Sequence, residues 1–214
     1  MLSCIFKKLV MANVPFLHFF SKMSWKQTLI NKFQAYKPHD MQETKDKETI
    51  LKYLNDFDNL LTRDNEYAHF TSSSWIVNPS RTKVLLIYHN IYDAWTWTGG
   101  HADGDEDFLA VAMREAKEET NVDVKPLSND FAIIDILPVW GHVKNGKWVS
   151  THHHLNVAYL MEADDSQEVQ IKEDENSGVK WVPVEDVLKT CREVEMHYVY
   201  KKLMERTKDF PPSK

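Results

Sequence analysis

Cysteine is nearly absent: the 214 residues hold two, Cys4 and Cys191. Two thiols cannot build a disulfide framework, no Cys/His zinc spacing accompanies them, and a reducing, cytoplasmic setting is the expectation. No apolar run reaches the roughly 18 residues that a bilayer-spanning helix needs, so no membrane contact of that kind is expected. Positive charge is in deficit. The chain has 26 Lys and Arg against 32 Asp and Glu, a net charge of −6, which argues against a surface that grips nucleic acid. A nucleotide substrate stays open, because metal ions can carry the missing positive charge. Internal repeats and low-complexity tracts are also lacking. What is present is ordinary globular composition, 43% hydrophobic and 27% charged, in a length that suits one domain with some extension.

The chemistry concentrates between Gly99 and Val122. Leu109, Ala112, Met113 and Ala116 recur at the spacing of one buried helical face. Glu115, Glu118 and Glu119 follow the same rule and are expected beside that stripe, not on it. Three carboxylates so close repel one another unless a cation sits among them, and hard divalent ions prefer oxygen ligands. Gly99 and Gly100, just before the helix, let backbone groups approach a ligand closely. Asp105, Glu106 and Asp107 fall at the expected helix start, where the dipole favours negative charge. Arg114 can pair with an acid such as Glu106 and fix the loop to the helix. The alternative, a merely solvated acidic helix, does not explain why the glycine loop, the spaced Glu106 and the Arg-Glu-x-x-Glu-Glu core occur together.

This stretch resembles the Nudix box, G-x5-E-x7-R-E-U-x-E-E-x-G-U, with U an aliphatic residue. Gly100, Glu106, Arg114, Glu115, Ala116, Glu118, Glu119 and Val122 fall on the pattern. Asn121 stands where the family has Gly. Asn tolerates positive φ better than other side chains, so the helix end can survive the change. The resemblance implies an α/β fold, an α/β/α sandwich around a mixed β-sheet, over residues 67–207. Residues 23–66 form a helical N-terminal extension, 1–22 an apolar, basic tail that is expected to be dispensable, and 208–214 a frayed end.

The rest of the chain fits that order. Trp25, Leu29, Ile30 and Phe33 have helical spacing, Lys37-Pro38 breaks the run, and a second helical pattern lies between Asp40 and Leu61. These helices are expected to pack on the catalytic domain or on a second copy, making a homodimer. From Ala68 to Val77 and Lys83 to His89 the texture is that of two strands joined by Asn78-Pro79-Ser80. Trp95 or Trp97 can stack on a base, with core packing as the alternative. Phe131–Val139 reads as a strand, Asn145-Gly146 as a hairpin turn, and Trp148–Met161 as the next strand. Alternation puts His152, His154 and Asn156 on one face and His153 on the other. Adjacent strand residues cannot all reach one ion, so a complete zinc site is not expected from this triplet; His152 or His154 is expected to contact substrate phosphate or bound water. A last strand, Val179–Val182, leads through Pro183 into a helix expected to run to about Arg206.

The resemblance implies a pyrophosphohydrolase that cleaves a nucleoside diphosphate linked to another moiety (an NDP-sugar, ADP-ribose or a modified nucleotide) with Mg²⁺ or Mn²⁺. By it, Glu115 and Glu119 are the principal metal ligands, with Glu118 and the Gly100 carbonyl completing the set. Arg114 orients Glu115 and Glu106, and Gly99, Gly100 and His101 face the substrate. The general base is a box Glu or an acid from a later loop. Glu175 is the first such candidate, with Glu173 and Asp174 its rivals. Residues 90–98, 140–150 and 162–177 are expected to set selectivity. The rival classes are a catalytically silent nucleotide sensor, which an eroded box would favour, and an isoprenyl diphosphate isomerase, which needs a reactive Cys that neither Cys4 nor Cys191 is placed to supply.

Overall fold

The computed structural model describes residues 24–144 and 146–213. The tail over residues 1–22, and Asn145 of the expected turn, lie outside the described residues. In chain order the elements are α1 (Trp25–Ala35), α2 (Met41–Asp56), β1 (Ala68–Val77), β2 (Lys83–His89), β3 (Ala94–Thr96), β4 (Thr98–His101), α3 (Phe108–Thr120), β5 (Lys125–Pro126), β6 (Ile133–Val139), β7 (His142–Lys144), β8 (Lys147–Val149), β9 (His152–Glu162), β10 (Asn176–Pro183), α4 (Val187–Thr190) and α5 (His197–Thr207).

Strand β1 is the axis of the sheet. All ten of its residues are buried, as a strand covered on both faces requires. It pairs in parallel with β9 along its whole length, from Ala68 opposite His153 to Val77 opposite Glu162. Antiparallel β4 and β2 line its other edge, β10 and β3 pair β2, and β6 and β5 pair β9. The sheet is therefore mixed. Its alternation is visible in the hydroxyls of β1. Ser72 and Ser74 donate to the carbonyls of Phe108 (2.6 Å) and Ala112 (2.9 Å) in α3. Thr71 and Ser73 donate to Asn156 Oδ1 on the opposite face (2.9 and 2.8 Å).

One apolar layer joins that α3 face to the N-terminal helices: Leu29, Phe33, Ile50 and Leu54 are buried in one cluster with Phe70, Phe108, Ala116 and Leu155. Ser24 and Asp40 cap α1 and α2 through the N–H groups of Gln27 and Glu43. The two helices thus spend their apolar faces on their own domain. The other layer packs α4 and α5 on the sheet through Trp75, Leu160, Val187, Tyr200 and Leu203.

Three expectations change. The single closing helix is broken: a 3-10 turn (Val184–Asp186) leads into α4, Cys191 takes an extended conformation, and a second turn (Val194–Met196) restarts α5. The break lets both Val187 and Val199 reach the sheet, each fully buried. The Trp148–Met161 strand is two strands, split at Ser150–Thr151, where Thr151 Oγ1 accepts the Gly141 N–H (3.1 Å). Of the segment expected to fray, the described residues 210, 211 and 213 are held: Arg81 donates to the carbonyls of Phe210 (3.2 Å) and Pro211 (3.4 Å), and Ser213 N–H donates to Pro79 O (3.0 Å). The β7–β8 hairpin forms as the Asn-Gly signal implies, with Gly146 at φ 73°.

A buried ion cluster ties α2, β6 and α5 together. Lys202 Nζ lies 2.6 Å from Asp135 Oδ1 and 3.2 Å from Glu43 Oε1, and it donates to Gln42 Oε1 at 2.8 Å. Burial pushes the Asp135 carboxyl up to about 7, against the pull of Lys202. A carboxyl raised in the folded state costs nothing below its ordinary value of 3.8 and is an increasing burden as pH rises from there to about 7. The stability of Asp135→Asn relative to wild type should therefore rise with pH across that interval. Denaturant melts at pH 4 and 7 check it; a difference that stays flat contradicts the assignment.

Candidate active site

Helix α3 begins at Asp107, whose carboxylate accepts the Ala110 N–H (3.1 Å), and ends at Asn121 in the left-handed region, φ 63°. The Asn that departs from the box pattern thus supplies the backbone that Gly would. The buried face comprises Phe108, Val111, Ala112, Ala116, Glu119 and Thr120, a stripe turned from the expected one. Glu119 consequently lies on it, 2% exposed, and not beside it.

The loop and helix meet through carboxylates. Gly99 N–H donates to Glu119 Oε2 at 2.9 Å. A Cβ on Gly100 would run into the Glu115 carboxyl group, so a side chain there would push that carboxyl aside. Gly100→Ala should displace the Glu115 carboxyl while leaving the fold intact. A misplacement of about 1 Å at a reacting centre costs about 10²-fold, so kcat should fall by about that factor. Full activity in a folded Gly100→Ala protein contradicts the placement.

Arg114 meets Asp105 at 3.2 Å and Glu115 at 3.7 Å. Glu106, the expected partner, is exposed, and it is Asp105 that bends back to the arginine. From the later loop, Lys172 reaches both Glu118 (3.2 Å) and Glu175 (3.1 Å). Burial works against the Lys172 charge, but those two carboxylates hold it firmly as a cation. Asn176, fully buried, donates to the Glu119 carbonyl (2.9 Å) and anchors this loop to the helix end. The structure thus brings Glu175 to the three α3 carboxylates.

Burial raises the Glu115 carboxyl, and Glu118 adds to the effect against Arg114. Burial raises Glu119 more strongly; the Gly99 N–H opposes it and Glu115 reinforces it. The donor set is all oxygen, crowded and short of positive charge. Such a set suits a hard divalent cation.

The other expected substrate-facing residues divide. Trp97 is a core residue, 7% exposed and edge-on to Tyr200 at 6.0 Å. Trp95 stays partly exposed beneath Lys180, whose Nζ lies 3.9 Å from the ring centroid. His153 points to the opposite face from its neighbours and is 3.3 Å from the Tyr53 hydroxyl. His152 and His154 do not stand alone: His69 and His101 join them from neighbouring strands, with ring centroids 4.8–5.2 Å apart among the contacting pairs. Burial lowers His69 and His154, and it pushes His101 down to about 3, which favours the neutral imidazole in these three. Sequence reasoning missed His69 altogether; its only signal was its place in a β-rich stretch.

The NUDIX domain family model matches residues 68–203. The chain belongs to the Nudix family, and it is a pyrophosphohydrolase, an enzyme acting on pyrophosphate bonds. A curated relative, the RNA pyrophosphohydrolase of Pelagibacter ubique (strain HTCC1062), is 27% identical over 119 residues, which are 54% of this chain and 75% of that protein. Among solved structures, a binary complex of a C. elegans Ap4A hydrolase is 22% identical, with a TM-score of 0.47 over 66% of this chain and 98% of that one. The Nudix domain of Shewanella oneidensis NrtR in complex with ADP ribose is 21% identical, with a TM-score of 0.46 over 74% and 96%. Among the described residues no helix is long and apolar enough to cross a membrane.

Proposed function

We propose that this enzyme hydrolyses the pyrophosphate of a small nucleoside diphosphate derivative, with Mg²⁺ or Mn²⁺ held by Glu115, Glu118, Glu119 and the Gly100 carbonyl. The observation that carries the reading is the carboxylate pair against the glycine strand: buried Glu119 on the Gly99 N–H and half-buried Glu115 against Gly100. When bound, such an ion neutralises diphosphate charge and lowers the pKa of a coordinated water. The protein's own groups do the rest. Arg114 aims Glu115 from one side, at 3.7 Å. Lys172 holds Glu175 and Glu118 together at the mouth of the cluster, and Glu175 is the residue that takes the proton from the attacking water. Trp95, partly exposed and carrying Lys180 over its ring, supplies a stacking surface for a base. The Pelagibacter relative is an RNA pyrophosphohydrolase; the net charge of −6 here favours a small nucleotide over a nucleic acid.

The test is a panel of ADP-ribose, NDP-sugars, oxidised nucleoside triphosphates and dinucleoside polyphosphates with Mg²⁺ and Mn²⁺, scored by product. A nucleoside monophosphate or pyrophosphate released only with metal present is the expected result. Binding without turnover of any member contradicts the reading.

A further inference from the structure

Three strands carry imidazoles to one spot on the sheet face that points away from α3. His69 of β1 stands opposite His154 of β9 in the parallel register. His101, the last residue of β4, stands opposite Thr71 of β1. Thr71 is on the face away from α3, since its hydroxyl meets Asn156, so His101 joins the other two there. Gly100, one residue earlier, faces the α3 carboxylates. One ring nitrogen from each of His69, His101 and His154 lies within 4.8 Å of the others.

The hydrogen bonds fix what these nitrogens offer. His69 Nδ1 is 3.1 Å from the carbonyl of Asn65. A carbonyl only accepts, so Nδ1 carries the proton and Nε2 is left with a bare lone pair. That Nε2 is buried and has no hydrogen-bond partner, in a residue only 4% exposed. The carbonyl is held in turn: Asn65 Oδ1 accepts the N–H groups of Tyr67 and Ala68, each at 3.1 Å. His101 Nε2 and His154 Nε2 lie 3.2 Å apart, close to the separation of about 3.4 Å that two nitrogens take on a tetrahedral zinc with Zn–N bonds of about 2.05 Å. His152, its Nδ1 committed to the Ser150 carbonyl at 2.8 Å, adds a fourth imidazole, 4.9 Å from His69 between ring centroids.

We propose that His69, His101 and His154 bind a zinc-class divalent cation, at a site separate from the oxygen cluster of α3. An orphaned, buried ring nitrogen in a cluster of imidazoles is a costly arrangement without a ligand. Nitrogen donors select zinc, cobalt, nickel or copper over magnesium. A carbonyl-anchored Nδ1–H is the partner that metal-bound histidines ordinarily keep. His101 and His154 are partly exposed, which provides the route in. The site bridges β1, β4 and β9, and through the Gly100–His101 peptide it abuts the carboxylate cluster without sharing a donor with it.

The experiment is equilibrium dialysis of chelator-stripped full-length protein against Zn²⁺ in a large excess of Mg²⁺, with bound metal counted by elemental analysis. Wild type should retain one zinc per chain. His101→Asn and His154→Asn, at partly exposed positions, should each bind at least tenfold more weakly with unchanged circular dichroism, and Glu115→Gln should retain zinc as wild type does. Cobalt substitution of the wild type supplies a readout that needs no variant: a four-coordinate nitrogen site absorbs strongly in the visible, whereas six-coordinate oxygen ligation absorbs faintly. A wild type that holds no zinc, a faint cobalt spectrum, or zinc lost with Glu115→Gln but kept by the histidine variants overturns the proposal.

Discussion

Glu119→Gln should lower kcat by several orders of magnitude while leaving the metal-free protein as stable as wild type or more so. The two effects have one cause. The Glu119 carboxyl is 2% exposed, and burial raises it well above its ordinary value, with the neighbouring Glu115 adding to the rise. In metal-free protein near neutral pH its charge opposes folding. Gln keeps the shape, and its oxygen still accepts the Gly99 N–H that Glu119 accepts at 2.9 Å. It cannot carry the charge on which a divalent cation depends. Removing one general acid or base alone typically costs about 10²–10⁴-fold, and loss of a principal metal ligand should reach the upper end. Turnover and thermal melts on the same preparation separate the effects. Loss of activity accompanied by a drop in melting temperature would mean that Glu119 is structural.

Lys202→Met should be strongly destabilising. It leaves Asp135 and Glu43, both fully buried, facing each other without the ammonium that now sits 2.6 and 3.2 Å from them. Stripping one partner from a buried ion cluster costs about 3–5 kcal/mol. For a domain of this size that lowers the melting temperature by about 6–20 °C, at about 2–4 °C per kcal/mol. Neutralising the two acids as well, in Lys202→Met/Glu43→Gln/Asp135→Asn, should restore most of the loss. Equal melting temperatures for Lys202→Met and wild type would contradict the reading, as would a triple variant no better than the single one.

What the sequence makes legible is local. The capped, acidic helix with its glycine loop, the left-handed Asn121, the turns and the central strand all follow from spacing and side-chain type within one element. Glu175 was identifiable as a candidate only because it precedes a strand, and the loop anchored by Asn176 carries it to α3. The features that were not legible depend on which strands pair. His69 and His154 are 85 residues apart and become neighbours only through the parallel register of β1 and β9. Asp135, Glu43 and Lys202 come from a strand and two helices, so no window along the chain shows them together. Glu119 was expected beside the apolar stripe because helical periodicity fixes relative angles. Which part of the helix faces the sheet is set by tertiary contacts such as Ser72 on Phe108 and Ser74 on Ala112. Cys191 breaks the closing helix, and the pieces on either side of it bury Val187, Val199 and Leu203 completely, a contact pattern that no local window reveals.

The most direct test is calorimetric titration of Mg²⁺, with and without ADP, into wild type and Glu115→Gln/Glu119→Gln protein. Saturable binding in the wild type that vanishes in the folded double variant is the expected result. A wild type indifferent to Mg²⁺ in both conditions, or a double variant that binds it equally well, would remove the reason for gathering these carboxylates at the end of one helix.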